Sequence, residues 1–316
     1  MTRSDMRTRL IALGATFAAI VVAFFLVVRP WYQRWGATDE EIARPLPGDE
    51  IIPTAVGQET RAITIQASVD HVWPWLAQLG QDRGGFYSYD LLENLVGCRM
   101  PTTDVLRPGR QQWQLGDKLW MYPRERAGGI GFATLRVFGP GRVLGFATRV
   151  TGASLDQLES GSWSFVLQPL GDSATRLLVR GRVAGGRSLL GVAFDQAIFE
   201  PAHFVMERRT MIGLKQLAEG GDRFRIVNHA HVVLWTITFV LFVAAAVMVL
   251  RRERWVPSLG GFAAAAVVFQ FLTLGQPPLW LATTLVALLA TVLSIPPRSP
   301  RGSALVAHGA PVLRPV

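Results

Sequence analysis

Ser162-Trp-Ser-Phe-Val-Leu-Gln-Pro-Leu-Gly-Asp-Ser-Ala-Thr-Arg-Leu-Leu-Val-Arg-Gly-Arg-Val183 decides the fold of the central part of the chain. In its first half Trp163, Phe165 and Leu167 fall on one face and Ser162, Ser164 and Gln168 on the other. In its second half Leu177, Val179 and Val183 stand opposite Arg176, Arg180 and Arg182. A period of two is the signature of a strand, and Leu170-Gly-Asp-Ser173 between the halves is a hairpin turn signal. Clean alternation predicts an antiparallel sheet with one covered and one wet face.

Working outward, the same signal recurs. Phe132 to Phe138 and Val143 to Val150 flank the turn Gly139-Pro-Gly-Arg142, and Asp117 to Tyr122 is a further strand. Upstream, Ile63, Ile65 and Ala67 share one face of Arg61–Ala67. Ser68 then caps a predicted helix carrying Val72, Trp73, Leu76 and Leu79, kinked or shortened by Pro74 and ended by Gly80. A second short helix is predicted over Tyr87–Leu95. Downstream, Leu189 to Glu219 is a long helix, apolar at Phe194, Ile198, Phe204, Met211, Ile212 and Leu214, which Pro201 kinks or interrupts. The layout is α+β, with a curved sheet wrapping one long helix, an arrangement that leaves an apolar cavity suited to a small molecule.

Outside this region the chain is written for a membrane. Leu10 to Val28 is an apolar run of 19 residues between Arg9 and Arg29, long enough to span, and no small-residue cleavage site follows it. Val232 to Leu250, Val256 to Leu274 and Leu279 to Ile295 repeat the signal. About four transmembrane helices are expected. The organisation is a basic tail (1–9), a span (10–28), a linker (29–58), the α+β domain (59–220), spans over 232–250, 256–274 and 279–295, and a second basic tail (296–316). The linker holds Pro45, Pro47 and Pro53.

Of the 316 residues half are hydrophobic and only 17% charged, which excludes a disordered chain. The net charge is +9, but the tails and the 251–255 loop hold nine arginines against Asp5 and Glu253, while residues 29–231 carry 23 basic and 21 acidic groups. The excess therefore marks cytoplasmic flanks rather than a nucleic-acid surface, and no nucleic-acid partner is expected. Both termini are placed in the cytoplasm and the domain outside it, in a protein of the cell membrane. The single cysteine, Cys98, excludes an internal disulfide framework. Gly128-Gly129-Ile-Gly131 precedes a strand rather than a helix and is no dinucleotide fingerprint.

Val72-Trp-Pro-Trp-Leu76, Arg83-Gly-Gly-Phe-Tyr-Ser-Tyr-Asp90, Glu93-Asn94 and Glu200-Pro-Ala-His-Phe-Val-Met-Glu-Arg-Arg209 together resemble the SRPBCC superfamily, START/Bet v 1-like domains of the polyketide cyclase/dehydrase and lipid transport type. The resemblance covers roughly residues 55–220. It implies a helix-grip fold with a deep hydrophobic cavity, and it implies no particular reaction, because the superfamily includes carriers, cyclases, steroid-binding domains and co-chaperones. The membrane helices depart from its free-standing members.

Glu200, His203 and Glu207 recur at helical spacing on one face. They suit cavity-facing acid/base groups; the alternative is a capping and salt-bridge cluster with Arg208 and Arg209. A closed metal site needs about three or four ligands, and no second cluster accompanies these, so neither a metal nor a cofactor is expected. Tyr87, Tyr89, Asp90 and Asn94 surround the second short helix, which the resemblance places near the cavity mouth; Asp90 could equally cap or pair with Arg83. Tyr87, Tyr89, Trp113, Trp120, Trp163, His203 and Glu207 are the candidate ligand-binding residues, against plain core packing for the aromatics. Arg176, Arg180 and Arg182 form a solvated stripe or a contact for anionic headgroups. Three functions follow: a membrane-anchored module binding a lipid or other hydrophobic small molecule; a cyclase/dehydrase-like enzyme using Tyr89, Asp90, Glu200 or His203; or a regulatory membrane protein whose partner the sequence does not identify.

Overall fold

Alternation from Glu59 to Val183 builds six strands: β1 Gly57–Ile65, β2 Lys118–Trp120, β3 Phe132–Gly139, β4 Val143–Thr148, β5 Gly161–Leu170 and β6 Ala174–Val183. The computed structural model describes residues 2–101, 103–125, 131–150, 153, 159–221 and 224–295; Gly128-Gly129 and the basic tail 296–316 lie outside the described residues. The strands form one antiparallel sheet in the order β1-β6-β5-β4-β3-β2. The inner face carries Ile65, Phe165, Leu167, Leu177 and Val179, which pack with Val72, Trp75 and Leu76 and with Met211, Leu214 and Leu217 into the main core. Burial of each such side chain contributes about 1.5–3 kcal/mol.

The helices that cover this face differ from the sequence expectation in detail. In chain order they follow α1 Arg3–Ala23, α2 Arg29–Gln33 and α3 Asp39–Ala43, and are α4 Val69–Ala77, α5 Asp90–Leu95, α6 Leu189–Phe194 and α7 Glu200–Ala218. Pro74 sits inside α4 without ending it. Ser68 Oγ bonds His71 Nδ1 at 2.8 Å rather than capping the backbone. The second short helix starts at Asp90, because Tyr87 is left-handed (φ 55°) and leaves the helical path. That loop presses against α7 at Gly213, where an added Cβ would lie 2.4 Å from the Tyr87 carbonyl oxygen. Pro201 does not interrupt the long helix. A π turn over Asp195–Phe199 joins α6 to α7, and this widened turn lies just ahead of the residue that lacks an N–H.

The outer sheet face is not wet. Residues 36–53 cross it, and Leu46 packs with Ala62, Val143, Val166 and Leu178. Arg180, 2% exposed, donates to the carbonyls of Glu41, Ile42 and Arg44 and to Asp49 Oδ2 at 2.9 Å. Arg176 pairs with Glu41 at 2.8 Å, and Arg182 donates to the Asp49 carbonyl. The arginine stripe is thus a clasp for the segment read as a linker. Polar side chains on a buried face are tolerated because most of their donors, those of Arg180 and Arg176 above all, find acceptors.

Among the described residues three helices are long and apolar enough to cross a membrane: Arg3–Gln33, continuous through a π turn at Phe24–Val28; Arg225–Arg251 of α8 (Phe224–Arg251); and α9, Val256–Gly275. The apolar helix α10, Leu279–Ser294, is shorter at 16 residues. Arg9 ties the first to the second by donating to the carbonyls of Val249, Leu250 and Arg252, the negative end of α8. The domain rests on this bundle. Asn228 Nδ2 donates to the Ser88 carbonyl, Gln276 Nε2 to that of Val205 at 2.7 Å, and Arg208 to that of Leu274.

Candidate functional site at the open end of the grip

Continuing the inner face of β1 backward by twos from Ile65 and Ile63 gives Arg61 and then Glu59. These charged residues point at α7. Arg61, 1% exposed, donates to Glu207 Oε1 at 2.6 Å, to Glu59 at 2.5 and 3.1 Å, and through Nε to the Tyr32 carbonyl at 2.9 Å. Trp163 Nε1 donates to the other Glu207 oxygen at 2.6 Å. Glu59 faces Gly181 across the sheet, and a Cβ there would lie 2.9 Å from its Oε1; the glycine makes room for the carboxylate. His203, one turn before Glu207, stacks on Phe199 at 5.7 Å and meets Trp163 edge-on at 5.4 Å. Its ring nitrogen and the carboxylates of Glu59 and Glu207 lie within 4.8 Å of one another. Glu200, one turn further out, is held by Arg29 at 2.8 Å and Gln33 at 2.9 Å.

One guanidinium is therefore shared by two carboxylates, and they do not titrate alike. Burial opposes ionisation of Glu207, but Arg61, His203 and the two hydrogen bonds outweigh it and hold this carboxyl below the usual range. Burial pushes Glu59 up, Arg61 opposes the rise, and the neighbouring Glu207 adds to it. Arg61 is held firmly charged by both acids despite its burial. Glu59, with a side chain 19% exposed, is the member of the pair able to take and return a proton beside His203. A His and two carboxylates also suit a cation, but each of the four carboxylate oxygens already accepts from Arg61 or Trp163. The donor set is committed to the guanidinium, and does not fit a metal while Arg61 is in place.

Of the residues singled out from sequence, Glu200, His203, Glu207 and Trp163 come together here. Their partners are Arg29 and Arg61 rather than Arg208 and Arg209, because the latter two point away: Arg208 stacks on Trp35 at 4.5 Å and Arg209 bonds Asn228. The remaining candidates do not join them. Tyr87 is core, its hydroxyl donating to the Trp75 carbonyl at 3.1 Å. Trp113 is core too, bonded to the Ala77 carbonyl and covered by Arg83. Trp120 packs on Phe132 at the far sheet edge. Tyr89 faces the bundle, its hydroxyl 3.1 Å from His231 Nδ1, and Asp90 lies 3.6 Å from His229 rather than pairing with Arg83. Asn94 binds the Met100 backbone. Glu59, Arg61, Arg29 and Gln33 were missed. The signal for the first two was a charged continuation of the apolar strand face.

No family model matches the chain, and no curated protein matches it. Similar solved structures include a protein from Mesorhizobium loti, 14% identical over 52% of this chain and 99% of that one, with a TM-score of 0.30. A protein from Arthrobacter aurescens is 15% identical over 52% and 92% of the two chains, also at 0.30. A protein from Corynebacterium glutamicum described as Polyketide_cyc-like is 13% identical over 56% and 91%, at 0.23.

Proposed function

We propose that the protein is a membrane-anchored, SRPBCC-type helix-grip module that takes a hydrophobic small molecule or lipid at the open end of the grip, beside the bilayer. The observation that carries this reading is the Glu59–Arg61–Glu207 cluster, a buried polar group bonded to Trp163, flanked by the stacked His203 and Phe199, and bonded directly to the end of the first apolar helix through the Tyr32 carbonyl. A few fixed polar groups among aromatic walls orient the polar end of an apolar ligand. The lip of the site supports the same reading. Leu190, Phe194 and Ile198 recur every four residues and are 81, 51 and 57% exposed, an apolar helix face suited to lying at a membrane surface. The proposed organisation is a helix-grip domain over residues 59–220 clasped by residues 36–53, with four spans and the domain on the extracytoplasmic side.

The enzymatic alternative is favoured by one feature, the raised Glu59 carboxyl beside His203, which could pass a proton to or from a bound carbonyl compound. A fatty acid bearing a photoactivatable diazirine, irradiated with the full chain in lipid nanodiscs, tests the binding reading. Label is expected on peptides containing Phe199–Glu207 or Trp163, reduced several-fold in Phe199→Asp. Label confined to the bundle helices would refute it.

A further inference from the structure

A groove of about 690 Å³ lies outside the helix-grip domain, between the first apolar helix and α9. Its walls are almost wholly apolar, with Ala23, Phe24 and Val27 on one side and Val267 and Phe271 on the other. Val27, Val267 and Phe271 are 66, 59 and 45% exposed, so the groove opens sideways, toward hydrocarbon if both helices span a bilayer. One cation closes its domain end. Arg208 reaches down from α7, donates to the Leu274 carbonyl, and lies 4.5 Å from the Trp35 ring and 5.9 Å from that of Trp31. Among the described residues no carboxylate pairs with it, and its Nε is buried without a hydrogen-bond partner. Burial, with Arg209 beside it, also pushes its ionisation down to about 10. The Leu274 carbonyl, at the negative end of α9, and the Trp35 ring meet part of this charge, and a bound anion would meet the rest.

The geometry points to one occupant: we propose that the groove holds an anionic membrane lipid, with a hydrocarbon chain between the first helix and α9 and its phosphate on Arg208. Two observations converge on this chemistry. The apolar walls suit an acyl chain and offer nothing to a polar ligand along their length. The guanidinium, which lines the groove with Trp31 and Gln270 at the level where the helices meet the domain, suits a phosphate, which accepts charge-assisted hydrogen bonds from arginine. The inference rests on the reading of these helices as membrane spans. It is separate from the grip-mouth site, which uses none of the same residues.

Native mass spectrometry of the delipidated full chain in detergent provides the test, with phosphatidylglycerol or phosphatidylcholine of the same acyl chains added. Retention of phosphatidylglycerol is expected to exceed that of phosphatidylcholine by about tenfold. Arg208→Gln should level the two. Ala23→Phe, which fills the groove and keeps Arg208, should abolish the phosphatidylglycerol adduct, and decides the matter if Arg208→Gln does not fold. Equal retention of the two lipids by the unmodified chain overturns the proposal, as does a preference that survives either variant. Displacement of the lipid by inorganic phosphate alone would assign Arg208 to a free anion and equally overturn it. Diazirine labelling at the grip mouth is expected to be unchanged in both variants, so the two readings fail separately.

Discussion

Both carboxylate oxygens of Glu93 are buried without a hydrogen-bond partner on α5, and burial, with Asp90 adding to it, pushes this carboxyl up to about 7. A raised carboxyl holds its proton more tightly in the folded chain than in the unfolded one. Its stability contribution is complete below the unfolded value near 4.5 and is lost as the pH climbs through about 7. The shift corresponds to roughly 3 kcal/mol at most. Glu93→Gln should therefore raise the melting temperature at pH 8 and leave it little changed at pH 4.5, which thermal melts at the two values would show; equal shifts at both would refute the assignment. Glu93 stands out in the sequence only as part of Glu93-Asn94, and Arg61 only as the start of a strand, neither as a site residue. A charged residue at an inward position of a strand is legible only once the inward face is known, and the partner of Arg61 lies 146 residues away. Glu200, His203 and Glu207 were legible because helical spacing places them on one face without reference to the rest of the chain.

The segment from Gly36 to Pro53 shows what an element-level reading loses. Three prolines and an acidic run disguise it as a linker, and several of the groups that hold it are backbone carbonyls, which no side-chain pattern reports. Arg180 is the pin, with its guanidinium spread over three carbonyls and Asp49. Arg180→Leu leaves those acceptors unpaired, at about 1–3 kcal/mol for each group that water cannot reach. We expect endoproteinase Glu-C to cut after Glu41 or Glu50 at least several-fold faster in this variant, with the sheet core still protected; unchanged cleavage would mean that Leu46 and the Arg176 and Arg182 contacts hold the segment without Arg180. The strands themselves were legible to within a few residues, because period-two alternation is local. The start of α5 was not, because the left-handed turn at Tyr87 depends on the bare backbone of Gly213 on another helix.

At the scale of the whole molecule, domain and bundle meet along a bonded seam. Ala62 N–H donates to the Trp35 carbonyl at 3.0 Å, Tyr89 meets His231, and His231 Nε2 lies 3.1 Å from the Pro277 carbonyl. Composition revealed the apolar helices, but nothing in it revealed this seam, whose contacts join residues far apart in sequence. The arginine flanks predict which side the domain occupies. With Cys98→Ser as background, Asp172→Cys in the exposed β5–β6 turn should react with an impermeant maleimide in intact cells; labelling only after lysis would reverse the topology. The bonded seam also constrains the order of synthesis. Arg61 leaves the ribosome long before Glu207, and Arg208 before Leu274, so Arg61 has only Glu59 and the Tyr32 carbonyl, and Arg208 no carbonyl of α9, until the later partner is translated. The sheet can pair early, but the seam between the domain and the apolar helices closes last, once residues 274–277 have been made.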